Sequence, residues 1–301
     1  MASLRDIQNK IVGVKKTKQI TKAMNMVASA KLRGAQSRIE RFRPYADKFN
    51  DILIDLASRA DASSHPLLEK REEIQNIGIV LVTSDKGLCG SFNANLCNAA
   101  NRMAKQKEAE GKTVKFICIG RKGRDFIRKT KYEITSQYSE NMTNFDFQLA
   151  SETGNLVIDG YLTAQFDEVH IIYGKYVSIA RQVATTAQIL PAETAEVADA
   201  PGASSEYIFE PSVEGLLAEL LPRYVKVQMY RGLLDTSASE HAARMSAMDN
   251  ATKNCDEMVG SLTKVYNKAR QSSITTQLMD IVGGAEALTS NVLKISIVVS
   301  C

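Results

Sequence analysis

The chain has little of what metal centres and histidine-based catalytic sites are made from. Its 301 residues include three histidines, His65, His170 and His241, and five cysteines, Cys89, Cys97, Cys118, Cys255 and Cys301, with no C-x-x-C pair. An odd, scattered set of cysteines argues against a disulfide framework and a zinc site, so the thiols read as reduced. Three histidines far apart in sequence give a metal cluster or a catalytic imidazole little material, so no metal, cofactor or catalytic residue is expected. No apolar run approaches the ~20 residues that cross a bilayer. The N-terminus also lacks the apolar core of a signal peptide and passes from Met1 directly into a basic amphipathic pattern. The expectation is a protein that starts and stays in the cytoplasm. A transit peptide is the other use of a basic amphipathic start, but here the same stripe continues into a structural helix.

What the chain does have is a long apolar seam at each end. Leu4, Ile7, Ile11, Val14, Lys18, Thr21, Asn25, Ala28, Leu32, Ala35, Ile39, Phe42, Ala46, Phe49, Leu53 and Leu56 follow at alternating spacings of three and four, and thirteen of the sixteen are apolar. Ala238, His241, Met245, Met248, Thr252, Cys255, Val259, Leu262, Tyr266 and Ala269 keep the same spacing, and after one slip Ile274, Leu278, Ile281, Ala285 and Leu288 carry it on. Such a period is what two supercoiled helices require. The first helix is expected to start after the N-cap residue Ser3 and to kink at Pro44; the last follows Pro211 and passes Pro222. At ~1.5 Å per residue they would be roughly 80 Å and 100 Å long. Helices of that length on either side of a domain are expected to pair as an antiparallel coil.

The middle of the chain changes period. Ile77 to Val82, Val114 to Ile119 and Val169 to Tyr173 read as buried strands, and Ala94 to Glu110, Arg121 to Lys129 and Asp146 to Gln165 as helices. The order favours a parallel α/β sheet, with Ser178 to Ile189 as an antiparallel edge strand. The boundaries predicted are an N-terminal coiled-coil helix over 1–60, a Rossmann-like head over 74–190, a flexible connection over 191–206, a C-terminal coiled-coil helix over 207–288 and an atypical apolar tail over 289–301.

Charge is uneven along the chain. Residues 1–48 carry twelve Lys or Arg against three acids, a net of +9 within a chain of net charge +4, so this helix should seek an acidic partner. Lys15, Lys16, Lys18 and Lys22 surround the helix, and no aromatic residues lie between them, which suits a protein partner better than nucleic acid. Thr83 to Ser91 lies between a strand and a helix, where a phosphate loop would sit. It lacks both the G-x-x-x-x-G-K-[ST] and the G-x-G-x-x-G spacing and reads as a tight turn. Two tracts interrupt the seams with polar residues, one around Lys18, Thr21 and Asn25 and one over Tyr266 to Gln277. In an antiparallel pair they are expected to lie near one another.

Three runs resemble the γ subunit of bacterial F-type ATP synthases: Ile20-Thr21-Lys22-Ala23-Met24-Asn25-Met26-Val27-Ala28, Ser84-Asp85-Lys86-Gly87-Leu88-Cys89-Gly90, and Val265-Tyr266-Asn267-Lys268-Ala269-Arg270-Gln271-Ser272-Ser273-Ile274-Thr275. The resemblance covers about residues 2–288. It implies a non-catalytic central rotor stalk with an α/β Rossmann-like head. Its partners would be the α and β subunits of the catalytic hexamer, the ε subunit and the ring of c subunits. It implies no nucleic acid, and membrane association only through the complex, as a peripheral protein on the cytoplasmic face of the bacterial plasma membrane. Residue by residue, it makes Lys18, Lys22 and Met24 the collar facing acidic loops of β. Arg270, Gln271 and Thr275 would form a hydrogen-bonded catch with β, Tyr207 and Glu210 the foot on the c ring and ε, and Asp85 and Lys86 a contact from the head loop. The tail from Thr289 to Cys301 runs past the usual end of the family. The cysteine-bearing insertion of the chloroplast type has no counterpart here, so no thiol switch is expected.

Overall fold

The computed structural model describes residues 3–58, 65–69, 71, 73–142, 144–192 and 213–299. From residue 193 onward, the expected connection lies outside the described residues, as do Tyr207 and Glu210. The described elements are α1 (Leu4–Ser58), β1 (Asn76–Val82), α2 (Phe92–Ala109), β2 (Thr113–Ile119), α3 (Arg121–Ile127), β3 (Glu133–Tyr138), α4 (Phe147–Leu162), β4 (Glu168–Tyr176), β5 (Gln182–Leu190) and α5 (Val213–Val299). They fall into two compact units, residues 25–248 and residues 1–24 with 249–301.

The larger unit is built on a five-stranded sheet of order β3-β2-β1-β4-β5. β1, β2, β3 and β4 are mutually parallel, and β5 runs antiparallel to β4 at the edge. Alternation along the strands sorts the core into two faces. Ile77, Ile79 and Leu81 of β1 and Phe116 and Cys118 of β2 pack against Phe92, Leu96, Ala100 and Ala104 of α2 and Ile127 of α3. Val80, Val82, Ile117 and Ile119 belong to the opposite cluster, with Leu32, Ala35 and Ile39 of α1, Leu149 and Val157 of α4 and Leu217, Leu233 and Leu234 of α5. Helices on both faces are what a parallel sheet with continuous apolar strands requires. β3 is not visible in the apolar pattern: it alternates exposed and half-buried positions, as an edge strand does.

From Gly232 to Glu240, α5 is buried residue by residue on all its faces. A helix in that position must be narrow, and this segment reads Gly-Leu-Leu-Asp-Thr-Ser-Ala-Ser-Glu. Its hydroxyls attach it to the sheet: Ser239 Oγ donates to the Gly174 carbonyl at 2.8 Å, and the Gly174 amide donates to Thr236 Oγ1 at 3.2 Å. Gly174 in β4 cannot be larger, because a Cβ there would lie 2.5 Å from the Phe92 ring.

In the smaller unit, Lys18 is ion-paired with Asp256, and Thr21 Oγ1 lies 2.8 Å from Thr252 Oγ1. Residue numbers rise on α1 as they fall on α5, so the two helices are antiparallel there. α1 opens with a reciprocal cap in which the Asp6 amide donates to Ser3 Oγ and the Ser3 amide to Asp6 Oδ2. The seam expected on α1 is buried or half-buried throughout, from Leu4 to Leu56. On α5 it is buried or half-buried from Ala238 to Ala269, but beyond the slip the expectation fails: Ile274, Leu278 and Ile281 are 48%, 57% and 68% exposed. The register supplies the reason. With Thr252 opposite Thr21, the first residues of α1 lie opposite about residue 270, and the later apolar positions have no α1 residue to face. α5 also runs on through the expected tail to Val299; neither proline nor glycine interrupts residues 289–299.

A buried acid organises one end of the sheet. Glu168 Oε1 lies 2.6 Å from His170 Nε2, and Lys107 Nζ donates to Glu168 Oε2 at 3.3 Å. The hydrogen bond from His170, reinforced by the positive charge of Lys107, lowers the Glu168 pKa to about 2 against the opposing effect of burial. A depressed carboxylate contributes stability above its unfolded pKa and loses it as pH falls through the folded value. The stability gap between the native chain and Glu168→Gln, read from urea midpoints, should therefore close as pH falls from ~5 towards 2. A gap independent of pH would remove Glu168 as a source of acid sensitivity. Gly120 has φ +96°, and a Cβ there would lie 2.1 Å from the Thr83 carbonyl oxygen. Gly120→Ala should therefore lower unfolding free energy by at least ~2 kcal/mol in urea titration.

Candidate functional site

The predicted site residues fall in separate places. In the smaller unit, Lys18 is half-buried and directed at Asp256, while Lys22 is exposed and Met24 half-buried. Thr21, only 8% exposed, also donates to the Lys18 carbonyl at 3.0 Å. In the larger unit the Asn25 side chain donates to the Met245 carbonyl at 2.8 Å. The three polar residues of the early seam thus each have a partner on α5, which fixes register at a cost in apolar burial.

Arg270, Gln271 and Thr275 are exposed, and Thr275 Oγ1 donates to the Gln271 carbonyl at 3.0 Å. The expectation that this tract and the early polar tract lie together is incorrect. Lys18 pairs with Asp256, fourteen residues before Arg270, so the two lie roughly 20 Å apart along the helix at ~1.5 Å per residue.

The loop after β1, residues 83–91, is densely hydrogen-bonded. Asp85 is 6% exposed, and its carboxylate accepts the amides of Arg121, Glu140 and Met142, each at 3.0 Å. Ser84 N donates to Asn93 Oδ1 at 3.1 Å, and Gly123 N donates to Thr83 Oγ1 at 2.8 Å. Of the loop's own amides, Thr83 N donates to the Ile119 carbonyl at 2.8 Å, and Ser84 N is the one paired with Asn93. Lys86 is exposed beside them, and Leu88, at φ +62°, is 64% exposed. Cys89 is buried, which pushes its thiol pKa up.

Sequence reasoning missed the residue that fixes this loop from the other side. Arg244 Nη2 on α5 donates to the carbonyls of Lys86 and Gly87 at 3.3 and 3.1 Å and to Glu240 Oε1 at 2.7 Å. Burial raises the Glu240 pKa and lowers that of His241 to about 4, the latter aided by the charges of Arg244, Lys31 and Arg38. His241 is therefore neutral at pH 7. The signal available was the Glu240/Arg244 pair, one helical turn apart; its target in the head loop has no local trace.

These features define an α/β sheet protein with long terminal helices paired antiparallel, whose polar positions hold register and whose head loop is fastened to the last helix. A family model described as ATP synthase matches residues 3–288. The ATP synthase gamma chain of Maridesulfovibrio salexigens is 66% identical over 96% of this chain and 99% of its own length. The central stalk and c-ring structure of the Tetrahymena thermophila mitochondrial ATP synthase matches at 26% identity and a TM-score of 0.58, over 77% of this chain and 99% of the matched one. A chain of the Euglena gracilis mitochondrial ATP synthase, in a structure of OSCP, F1 and c-ring, shares the fold with a TM-score of 0.68 at 23% identity, over 96% and 95%. The chain belongs to the ATP synthase gamma chain family.

Asp85→Ala would leave three backbone donors without their shared acceptor. It should cost about 3 kcal/mol of unfolding free energy in urea titration. A loss under 1 kcal/mol would mean the loop finds other partners.

Proposed function

We propose that this chain is the central rotor subunit of a bacterial rotary ATP synthase, with no catalytic residue of its own. It couples ion flow through a c ring to synthesis or hydrolysis of ATP on partner β subunits. The observation that carries the reading is the bare apolar face of α5. Ile274, Leu278, Met279, Ile281 and Val282 are each about half or more exposed, on a helix that has passed the start of α1. A contiguous apolar surface of this kind calls for a surrounding partner. The near full-length likeness to gamma chains supports a catalytic hexamer as that partner, and the likeness to the Tetrahymena central stalk and c-ring structure supports contact with a c ring here.

The mechanism follows from asymmetry. A shaft that presents different side chains to three identical catalytic subunits biases each towards a different conformation, and turning it moves that bias from one to the next. Arg270, Gln271 and Thr275 are the catch on β in this reading, and Lys22 and Met24 face acidic β loops. Lys18 has a second role through Asp256, holding the helix pair in register. Lys86 reaches a partner from the head loop, while Asp85 shapes that loop from within. Tyr207 and Glu210 form the foot on the c ring and ε. The protein sits at the cytoplasmic face of the bacterial plasma membrane, held there by the complex. A nucleotide-binding head is disfavoured because residues 83–91 have neither phosphate-loop spacing.

Reconstitution with α and β subunits tests the reading, with a rotation probe on a cysteine introduced at the exposed Lys105 of α2. ATP should drive rotation in one direction. Arg270→Ala with Gln271→Ala should reduce ATP hydrolysis or its coupling by about tenfold, the effect of ~1.4 kcal/mol, while the subunit still assembles. Full activity and coupling in that variant would remove these residues from the catch. Nucleotide binding by the chain alone, without assembly, would overturn the rotor reading.

A further inference from the structure

The larger unit contains a cavity of about 280 Å³ between α1, the end of β4 and α5, which the rotor reading does not use. Its apolar wall is formed by Ile39, Phe42, Ala46 and Leu234. Its polar lining is almost all donor. Arg231 is half-buried, Arg43 and Lys175 stand exposed at the rim, and none of the three has a hydrogen bond or ion pair with a described side chain. Tyr176 OH accepts from Gln36 Nε2 at 2.6 Å, which leaves its own proton free to donate. The single acid is Asp235, 6% exposed, with the positive charges of Arg231, Arg43 and Lys175 around it and the Tyr176 amide bonded to it. Three cations face one carboxylate, so the cavity holds an excess of positive charge beside an apolar wall.

We propose that this cavity binds a small organic anion, an aryl or alkyl carboxylate or phosphate, with its acidic group among Arg43, Lys175, Arg231 and Tyr176 OH and its apolar body against Phe42 and Leu234. The volume suits a ligand of about ten heavy atoms and is of the order of the smallest ligand pockets. An acceptor-only group is what a donor-rich lining recognises, and charge-assisted hydrogen bonds to Arg and Lys supply the selectivity. Binding here would bridge α1, α5 and the end of β4, three elements of one unit.

The test uses the subunit assembled with α and β and an azidobenzoate, of about the stated size, as photoreactive probe, with labelled peptides of this chain identified by mass spectrometry. Saturable labelling is expected on the peptides carrying Phe42, Tyr176 and Leu234, chased by excess benzoate and not by benzamide. Arg231→Gln with Lys175→Gln should cut it by about tenfold. Should that variant fail to assemble, Arg43→Gln with Lys175→Gln, both at the exposed rim, decides the matter by the same loss. Equal chase by benzamide, labelling that does not saturate, or labelling unchanged in the rim variant would overturn the anion site.

Discussion

The larger unit depends on one close approach, the passage of α5 across the sheet between Gly232 and Glu240. A helix buried on every face has no room for ordinary outward side chains, so the segment is built from Gly, Leu, Ala, Ser and Thr and from two acids with tethered neighbours. Thr236 and Ser239 convert proximity into attachment by bonding both backbone groups of Gly174, and Gly174 is itself limited by the Phe92 ring. The buried acids are tolerated because each has cations beside it, Arg244 for Glu240 and Arg231, Arg43 and Lys175 for Asp235. The head loop and the anion cavity both follow from this passage, since Arg244 and Arg231 lie on the same helix at its two ends.

In the smaller unit the constraint is register. An uninterrupted apolar seam between two long helices can slide by whole heptads at little cost, whereas a Thr21–Thr252 hydrogen bond and a Lys18–Asp256 ion pair are lost with any slip. The partly exposed pair of charges contributes little stability of its own. Its value is specificity, and that specificity determines where α1 ends against α5 and hence which apolar positions of α5 are left for a partner.

Much of the fold was legible. β1, β2 and β4 are runs of Ile and Val buried on both faces, and such runs survive any local context. The sixteen-position seam of α1 was legible because sustained periodicity is a sum over many residues. β3 was not, since an edge strand with Ile134 and Tyr138 as its only large apolar residues carries half the signal of a central one. In the candidate site, Lys22, Arg270 and Gln271 are exposed, as polar residues off a helical seam are expected to be. The inward turn of Asp85 towards three amides far along the chain could not be read from its neighbours.

By itself the sequence determined the long helices, the central strands, most of the two seams, the positions at which those seams turn polar and the motifs shared with gamma chains, because each is written in local spacing. Only the tertiary structure decided what the polar positions meet, where α1 runs out beneath α5, that Arg244 holds the head loop, and that Arg43, Lys175 and Arg231 converge on one cavity. Those are pairings between residues scores of positions apart, and local spacing carries no information about which distant partner a side chain will find.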